Sequence, residues 1–184
     1  MPKTKTIIII AVIIAAIWYY KKRMKAPFNP DGTRVWSVAA VEAAFKKVAK
    51  SYGVAYARRL EQLFRLEVGH FEKGGSGQWQ KTLSPGMVVV KGKEGAFPFG
   101  WSSLDKFVAD NPQYKNGWYT VHFKNTSDGP LSYVGFPTEE AGIFFVAWFV
   151  QNIRGGRFGY WNSKDEGTAT AYEGKMNSIS PKFN

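Results

Sequence analysis

Residues 54–69 read VAYARRLEQLFRLEVG and predict the helix on which the rest of the domain is built. Apolar side chains recur at the three- and four-residue spacing of a helix with one buried face, at Ala57, Leu60, Leu63 and Phe64. Gly69 follows the last periodic residue, the position where glycine commonly ends a helix. The pattern therefore predicts a helix over 54–68 whose apolar face packs against a core.

The residues on either side predict a mainly helical α+β domain over 34–184 that contains a β-hairpin. Helix caps, apolar periodicity and turn residues define its elements. These elements are a helix over 37–52 capped by Ser37, a glycine-rich loop over 74–77 with Trp79 beside it, a helix over 102–110, strands over 118–123 and 131–136, an apolar helix that starts at Thr138, and a short helix around Tyr172, Met176 and Ile179.

The first 25 residues differ from the rest in composition. An apolar run of 14 residues, 7–20, lies between lysines and arginines, and residues 1–25 carry +6 of the net charge of +11. Fourteen helical residues rise about 21 Å against about 30 Å of hydrocarbon, so the flanking lysines must extend to the lipid headgroups. We expect residues 1–25 to form one N-terminal transmembrane helix, followed by a linker over 26–33, with anchoring side chains at Ile7, Ile10, Ile14, Trp18 and Tyr20. A cleaved signal peptide and a buried helix of a soluble protein are the alternatives.

The composition excludes several classes of function. The chain has no cysteine and only two histidines, His70 and His122, which excludes a disulfide framework, a thiol nucleophile and a thiolate or multi-histidine zinc site. We expect neither a metal nor a cofactor. Nucleic-acid binding is not expected either, because more than half of the net charge flanks the apolar run and no basic stripe interleaves with aromatic residues.

Glu67 is the residue that points to chemistry. It follows Phe64 by three residues and Leu63 by four, so it projects from the apolar face of the predicted helix. Burial and the negative end of the helix dipole both raise the pKa of a carboxyl in this position, which suits a general acid. The alternative is a structural carboxylate paired with Arg58 or Arg59.

Several motifs then follow in the order of a known superfamily. Residues 66–71, LEVGHF, resemble the segment in which the catalytic glutamate ends a helix in lytic transglycosylases and bacterial N-acetylglucosaminidases. Residues 84–87, SPGM, are similar to the transglycosylase Gly-Leu-Met-Gln segment, and residues 97–101, FPFGW, to the glucosaminidase Asn-Leu-Phe-Gly-Ile-Lys motif. The order is completed by the hairpin that leads into Thr138 and by Tyr172, which precedes Lys175 and Met176. Residues 54–179 thus resemble the lysozyme-like superfamily of peptidoglycan glycosidases.

The resemblance implies roles for individual residues. Glu67 would be the general acid, and Tyr172 would stabilise the oxocarbenium-like transition state, with an ordinary core tyrosine as the alternative. Contacts with sugar rings are expected from Trp79, Met87, Phe99, Trp101 and Trp118, although abundant aromatics are also typical of a core. Pro98 and Ser102 stand where the family has Asn and Lys. No second catalytic carboxylate is evident. Glu72, Glu94 and Asp105 are candidates, and a solvated loop charge is the alternative for each.

The leading hypothesis is a membrane-anchored glycoside hydrolase or lytic transglycosylase that cleaves β-1,4 bonds between N-acetylglucosamine and N-acetylmuramic acid. The alternative is a non-catalytic lysozyme-like protein that binds the wall or has a structural role in a virion or cell envelope. The basic residues after the anchor favour a cytoplasmic domain. A wall enzyme with that orientation fits the inner membrane of a bacteriophage virion, with capsid or other virion proteins as neighbours. The bacterial cytoplasmic membrane is the other expected location.

Overall fold

The computed structural model describes residues 33–85, 88–90, 102–124, 129–161 and 165–183. The chain divides into two compact units, Met1–Val35 and Trp36–Asn184. Of the first unit only residues 33–35 are described, so the predicted anchor, with Ile7, Ile10, Ile14, Trp18 and Tyr20, lies outside the described residues. In the described part of the chain, no helix is both long enough and apolar enough to cross a bilayer.

The second unit is a helix-rich α+β fold, as predicted. Its described residues form six α-helices, three short 3-10 helices and one antiparallel hairpin. The α-helices are α1 (Val38–Tyr52), α2 (Val54–Val68), α3 (Gly77–Thr82), α4 (Ser102–Asp110), α5 (Glu139–Ile153) and α6 (Glu166–Asn177). The strands are β1 (Tyr119–Phe123) and β2 (Leu131–Gly135), and the 3-10 helices are Phe71–Lys73, Pro112–Tyr114 and Phe158–Trp161.

Helix α5 forms the centre of the domain. Every residue from 141 to 150 is buried, so this helix is covered by neighbours on all sides. Helices α1 and α4 pack against it, and α2 packs against α1. The predicted cap is confirmed, since the Thr138 hydroxyl accepts a hydrogen bond from the Ala141 N–H at 3.1 Å.

The hairpin lies beside this helical core. Strands β1 and β2 pair in a register that sets Val121 opposite Tyr133. Residues 88–90 add a short extended segment on the other side of β2, where the Val90 N–H donates to the Ser132 carbonyl at 2.8 Å and the Val134 N–H to the Val88 carbonyl at 2.7 Å. The sequence predicts the hairpin but not this third segment.

Most predicted elements agree with the structure, and two need correction. The loop predicted over 74–77 is shorter than expected, and Trp79 lies in helix α3. The Ser76 hydroxyl caps this helix by accepting a hydrogen bond from the Trp79 N–H at 3.2 Å. The last helix is longer than predicted and begins after Asp165, whose carboxylate accepts the Thr168 N–H at 2.8 Å. Ile179 lies beyond the end of this helix.

Candidate active site

Helix α2 brings Glu67 to the edge of the core. Its buried residues include Ala57, Leu60, Leu63 and Phe64, the apolar face that the spacing predicts. The helix ends at Gly69, which has a φ of 76°, a backbone conformation that is readily adopted only by glycine. Glu67 therefore lies in the last turn, next to the unpaired carbonyls of the helix terminus.

The chain after α2 folds back on this helix end. The Ser76 N–H donates to the Val68 carbonyl at 3.0 Å and thereby satisfies one of the free carbonyls. Gly75 approaches so closely that a Cβ at this position would lie 2.8 Å from Cγ1 of Val68. The end of α2 is thus fixed from both sides by short-range contacts, which gives the Glu67 side chain a defined environment.

The partner of Glu67 comes from a distant part of the chain. The Tyr172 hydroxyl, on α6, donates a hydrogen bond to Oε1 of Glu67. Both side chains are partly buried. Arg59, one of the two alternative partners proposed for Glu67, forms an ion pair with Glu173. The structure therefore brings together the two residues that the resemblance assigns to catalysis.

The two groups influence each other's protonation. Burial raises the pKa of Glu67, and the hydrogen bond from Tyr172 offsets part of that rise because it stabilises the carboxylate. Burial and the neighbouring Glu67 raise the pKa of Tyr172, so the phenol keeps its proton and stays a donor. The pair is thus a carboxyl that holds a proton closer to neutral pH than an ordinary glutamate, beside a fixed neutral donor.

A second buried carboxylate on α2 is not anticipated from the sequence. Glu61 has no exposed surface, and its two oxygens accept hydrogen bonds from Nε of Arg65 at 2.8 Å, from the Lys182 N–H at 2.7 Å and from the Phe183 N–H at 3.0 Å. The available signal was its spacing, since Glu61 follows Ala57 by four residues and precedes Phe64 by three. Its three donors make it an anchor for the C-terminal segment.

The predicted sugar-contacting residues have different outcomes. Trp79 is wrong as a stacking residue, because its side chain is 0% exposed and its ring packs against Phe64 at 5.1 Å and Trp36 at 5.7 Å between centroids. Trp118 is partly buried, donates its indole N–H to the Tyr114 carbonyl and packs on Phe136. Met87, Phe99 and Trp101 lie outside the described residues.

The other candidate carboxylates lie in ordinary surroundings. Glu72 is an exposed partner of Arg65, and its Oε1 lies 3.6 Å from Nζ of Lys182. Asp105 is exposed on α4, and Glu94 is not among the described residues. Within the described ranges there is no group of three or more acidic or histidine side chains that could hold a metal ion.

The chain has no detectable relative in the three comparisons with known proteins. The chain matches no protein-family model, and searches of curated proteins and of solved structures find no match either.

Proposed function

We propose that the domain is a lysozyme-like enzyme that cleaves the glycan strands of peptidoglycan, with Glu67 as the general acid. The observation that carries the proposal is the hydrogen bond between Glu67 and Tyr172 at the edge of the core. Burial raises the pKa of Glu67, which is the direction that favours a proton donor. The ordered motifs between residues 54 and 179 supply the substrate class.

In the proposed reaction, the protonated Glu67 gives its proton to the oxygen of the glycosidic bond. The bond between that oxygen and the anomeric carbon breaks, the leaving sugar departs as an alcohol, and positive charge develops on the ring that remains. Water or a hydroxyl of the substrate then captures the anomeric carbon, and the proton that it loses passes to the Glu67 carboxylate, which restores the acid. A lone general acid fits both outcomes, a hydrolysed product and an anhydro product.

Tyr172 acts through Glu67 in this proposal. Its hydroxyl bonds to Oε1, which leaves Oε2 to carry the proton that is transferred. A hydrogen bond to a carboxylate is stronger than one to a neutral acid, so the contact strengthens as Glu67 loses its proton. Tyr172 is therefore a positioning residue that stabilises charge where it develops, in place of the direct stabilisation of the sugar cation expected from the resemblance.

The test uses the full-length protein and its Glu67→Gln variant on purified peptidoglycan, with mass spectrometry of the released muropeptides. Loss of a general acid reduces the rate by about 100-fold to 10,000-fold, whereas glutamine leaves the acceptor for Tyr172 in place. Glu72→Gln is the matched control, because it changes an exposed carboxylate close in sequence. Undiminished product release by Glu67→Gln contradicts the proposal. Glycan binding by the wild type without any product indicates the non-catalytic alternative.

We propose further that residues 1–25 anchor the enzyme in a membrane, either of a bacteriophage virion or of the bacterial cell. The support is the apolar run over 7–20 with its basic flanks. Detection of the protein in purified, membrane-containing virions supports the first location. Its absence from such virions, with its gene among bacterial wall-maintenance genes, supports the second.

A further inference from the structure

A cleft of about 700 Å³ lies at the opposite end of α2 from Glu67. Its walls are the end of α1, the first half of α2, the turn around Phe158–Trp161 and residues 166–173 of α6, and neither Glu67 nor Tyr172 lines it. Tyr172 and the lining residue Glu173 are neighbours on α6, so their side chains diverge by about 100° around the helix. The cleft and the Glu67 site therefore lie on different sides of α6.

The walls of the cleft are held in place by close packing. The Gly159 N–H donates to Oε1 of Glu173 at 2.7 Å, which fixes the 3-10 turn to α6. A Cβ on Gly159 would lie 2.4 Å from the Ala169 carbonyl oxygen, so the two backbones meet there without space for a side chain. Arg59 joins α2 to the same Glu173 through an ion pair. The cleft is thus formed before any ligand arrives.

The charges that line the cleft cancel each other. Arg59 pairs with Glu173, and Nη2 of Arg157 lies 2.9 Å from Oε2 of Glu166. An anionic ligand would have to displace a glutamate from its arginine, and a cationic ligand would have to displace an arginine from its glutamate. A hydroxyl both donates and accepts hydrogen bonds, so it can bond to both members without breaking the pair. The lining favours an uncharged ligand that carries several hydroxyls.

Aromatic rings supply the remaining surface. Tyr52 and Tyr56 stack at 5.2 Å between centroids, and Tyr160 of the 3-10 turn also lines the cleft. The Tyr56 hydroxyl is occupied by the Ala147 carbonyl at 2.7 Å, whereas the Tyr52 hydroxyl bonds to no residue in the described ranges. Ring faces pack well against the C–H face of a pyranose, and the phenol adds a hydrogen bond.

We propose that this cleft binds an uncharged oligosaccharide as a second site, separate from Glu67. The volume falls within the range of about 300–1,000 Å³ that small-molecule sites occupy. Paired charges, stacked tyrosines and an available phenol are the groups that recognise the hydroxyls and the apolar face of a sugar. The proposal stands independently of cleavage at Glu67.

The experiment is isothermal titration calorimetry of the full-length Glu67→Gln protein with chitotetraose and, separately, with cellotetraose. Tyr52→Phe removes the available hydroxyl and Arg157→Ala removes one exposed side chain from the lining. Each should weaken binding about fivefold, as expected for one lost hydrogen bond. Lys46→Ala is the matched control, because Lys46 pairs with Glu42 on the exposed side of α1 and does not line the cleft.

A third variant, Thr170→Trp, fills the cleft from an exposed lining position and should abolish binding at the cleft, seen as the loss of one site from the titration, with an unchanged unfolding temperature. The proposal is overturned if neither sugar binds, if the three cleft variants bind as tightly as their parent, or if Lys46→Ala weakens binding equally. Because the parent protein lacks the Glu67 carboxyl, these results do not depend on glycan cleavage. A failure of peptidoglycan cleavage by the wild type is a separate result.

Discussion

Tyr172→Phe removes one hydroxyl and leaves the ring packed at the edge of the core. The lost hydrogen bond stabilises the carboxylate of Glu67, so its removal should raise the pKa of Glu67 beyond the rise that burial already causes. A hydrogen bond to a charged group contributes about 1.5–3 kcal/mol, and one pKa unit corresponds to about 1.4 kcal/mol. We therefore expect Tyr172→Phe to raise the pKa of Glu67 by about one to two.

The direct measurement is an NMR titration of the ¹³C-labelled Glu67 carboxyl in the full-length protein, assigned with the Glu67→Gln variant. Tyr160→Phe is the matched control, since Tyr160 donates to the exposed carboxylate of Glu166 and its loss should leave Glu67 unchanged. An unchanged or lowered pKa of Glu67 in Tyr172→Phe refutes the assignment of Tyr172 as the residue that stabilises the carboxylate.

The same variant separates the titration of Glu67 from its role in the reaction. If Glu67 is the general acid, the alkaline limb of the pH profile for peptidoglycan cleavage moves upward together with the pKa of Glu67. The maximal rate should fall, because the carboxylate formed by proton transfer has lost its donor. A changed pKa with an unmoved pH profile would mean that another group supplies the proton.

Two further predictions compare the carboxylates of α2. Burial raises the pKa of Glu67 in the folded state, so the stability it contributes is present below the unfolded pKa and is lost as pH rises through the folded pKa. Glu67→Gln should therefore raise the unfolding temperature near neutral pH but not below about pH 4, as followed by circular dichroism, and an equal effect at both pH values contradicts the reasoning. Glu61→Ala leaves Nε of Arg65 and two backbone donors without their acceptor, although Arg65 keeps its ion pair with Glu72, and should lower the free energy of unfolding by about 3–5 kcal/mol in urea titrations. A loss below about 1 kcal/mol would show that these donors find other partners.

The features that were predictable from the sequence depend on neighbours within one helical turn. The caps at Ser37 and Thr138 are hydrogen bonds to residues three positions on, and the stop at Gly69 is a local backbone conformation. Apolar periodicity likewise identifies the buried face of α2 without knowledge of what covers it. These elements agree with the structure because tertiary contacts reinforce the local preferences.

The features that were missed depend on partners far away in the sequence. Trp79 follows a glycine-rich segment and therefore resembles an exposed loop residue, yet Phe64 and Trp36 enclose it in the core. The second half of the chain supplies Tyr172 to Glu67, and spacing alone does not show that the two side chains meet. The cleft with paired charges is similarly built from four segments of the chain. The ion pair between Arg59 and Glu173 joins two of them, α2 and α6.

Glu61 and Glu67 show why a carboxylate on an apolar helix face does not by itself indicate catalysis. Both side chains project toward the core from α2, and periodicity does not distinguish them. Glu61 accepts three hydrogen bonds, one from a cation, so both oxygens are committed to holding Arg65 and the C-terminal segment. For Glu67, Tyr172 occupies Oε1, and none of the described residues donates to Oε2. Proton transfer needs an oxygen that can face the substrate, so the number of donors, and not burial alone, assigns the candidate general acid to Glu67.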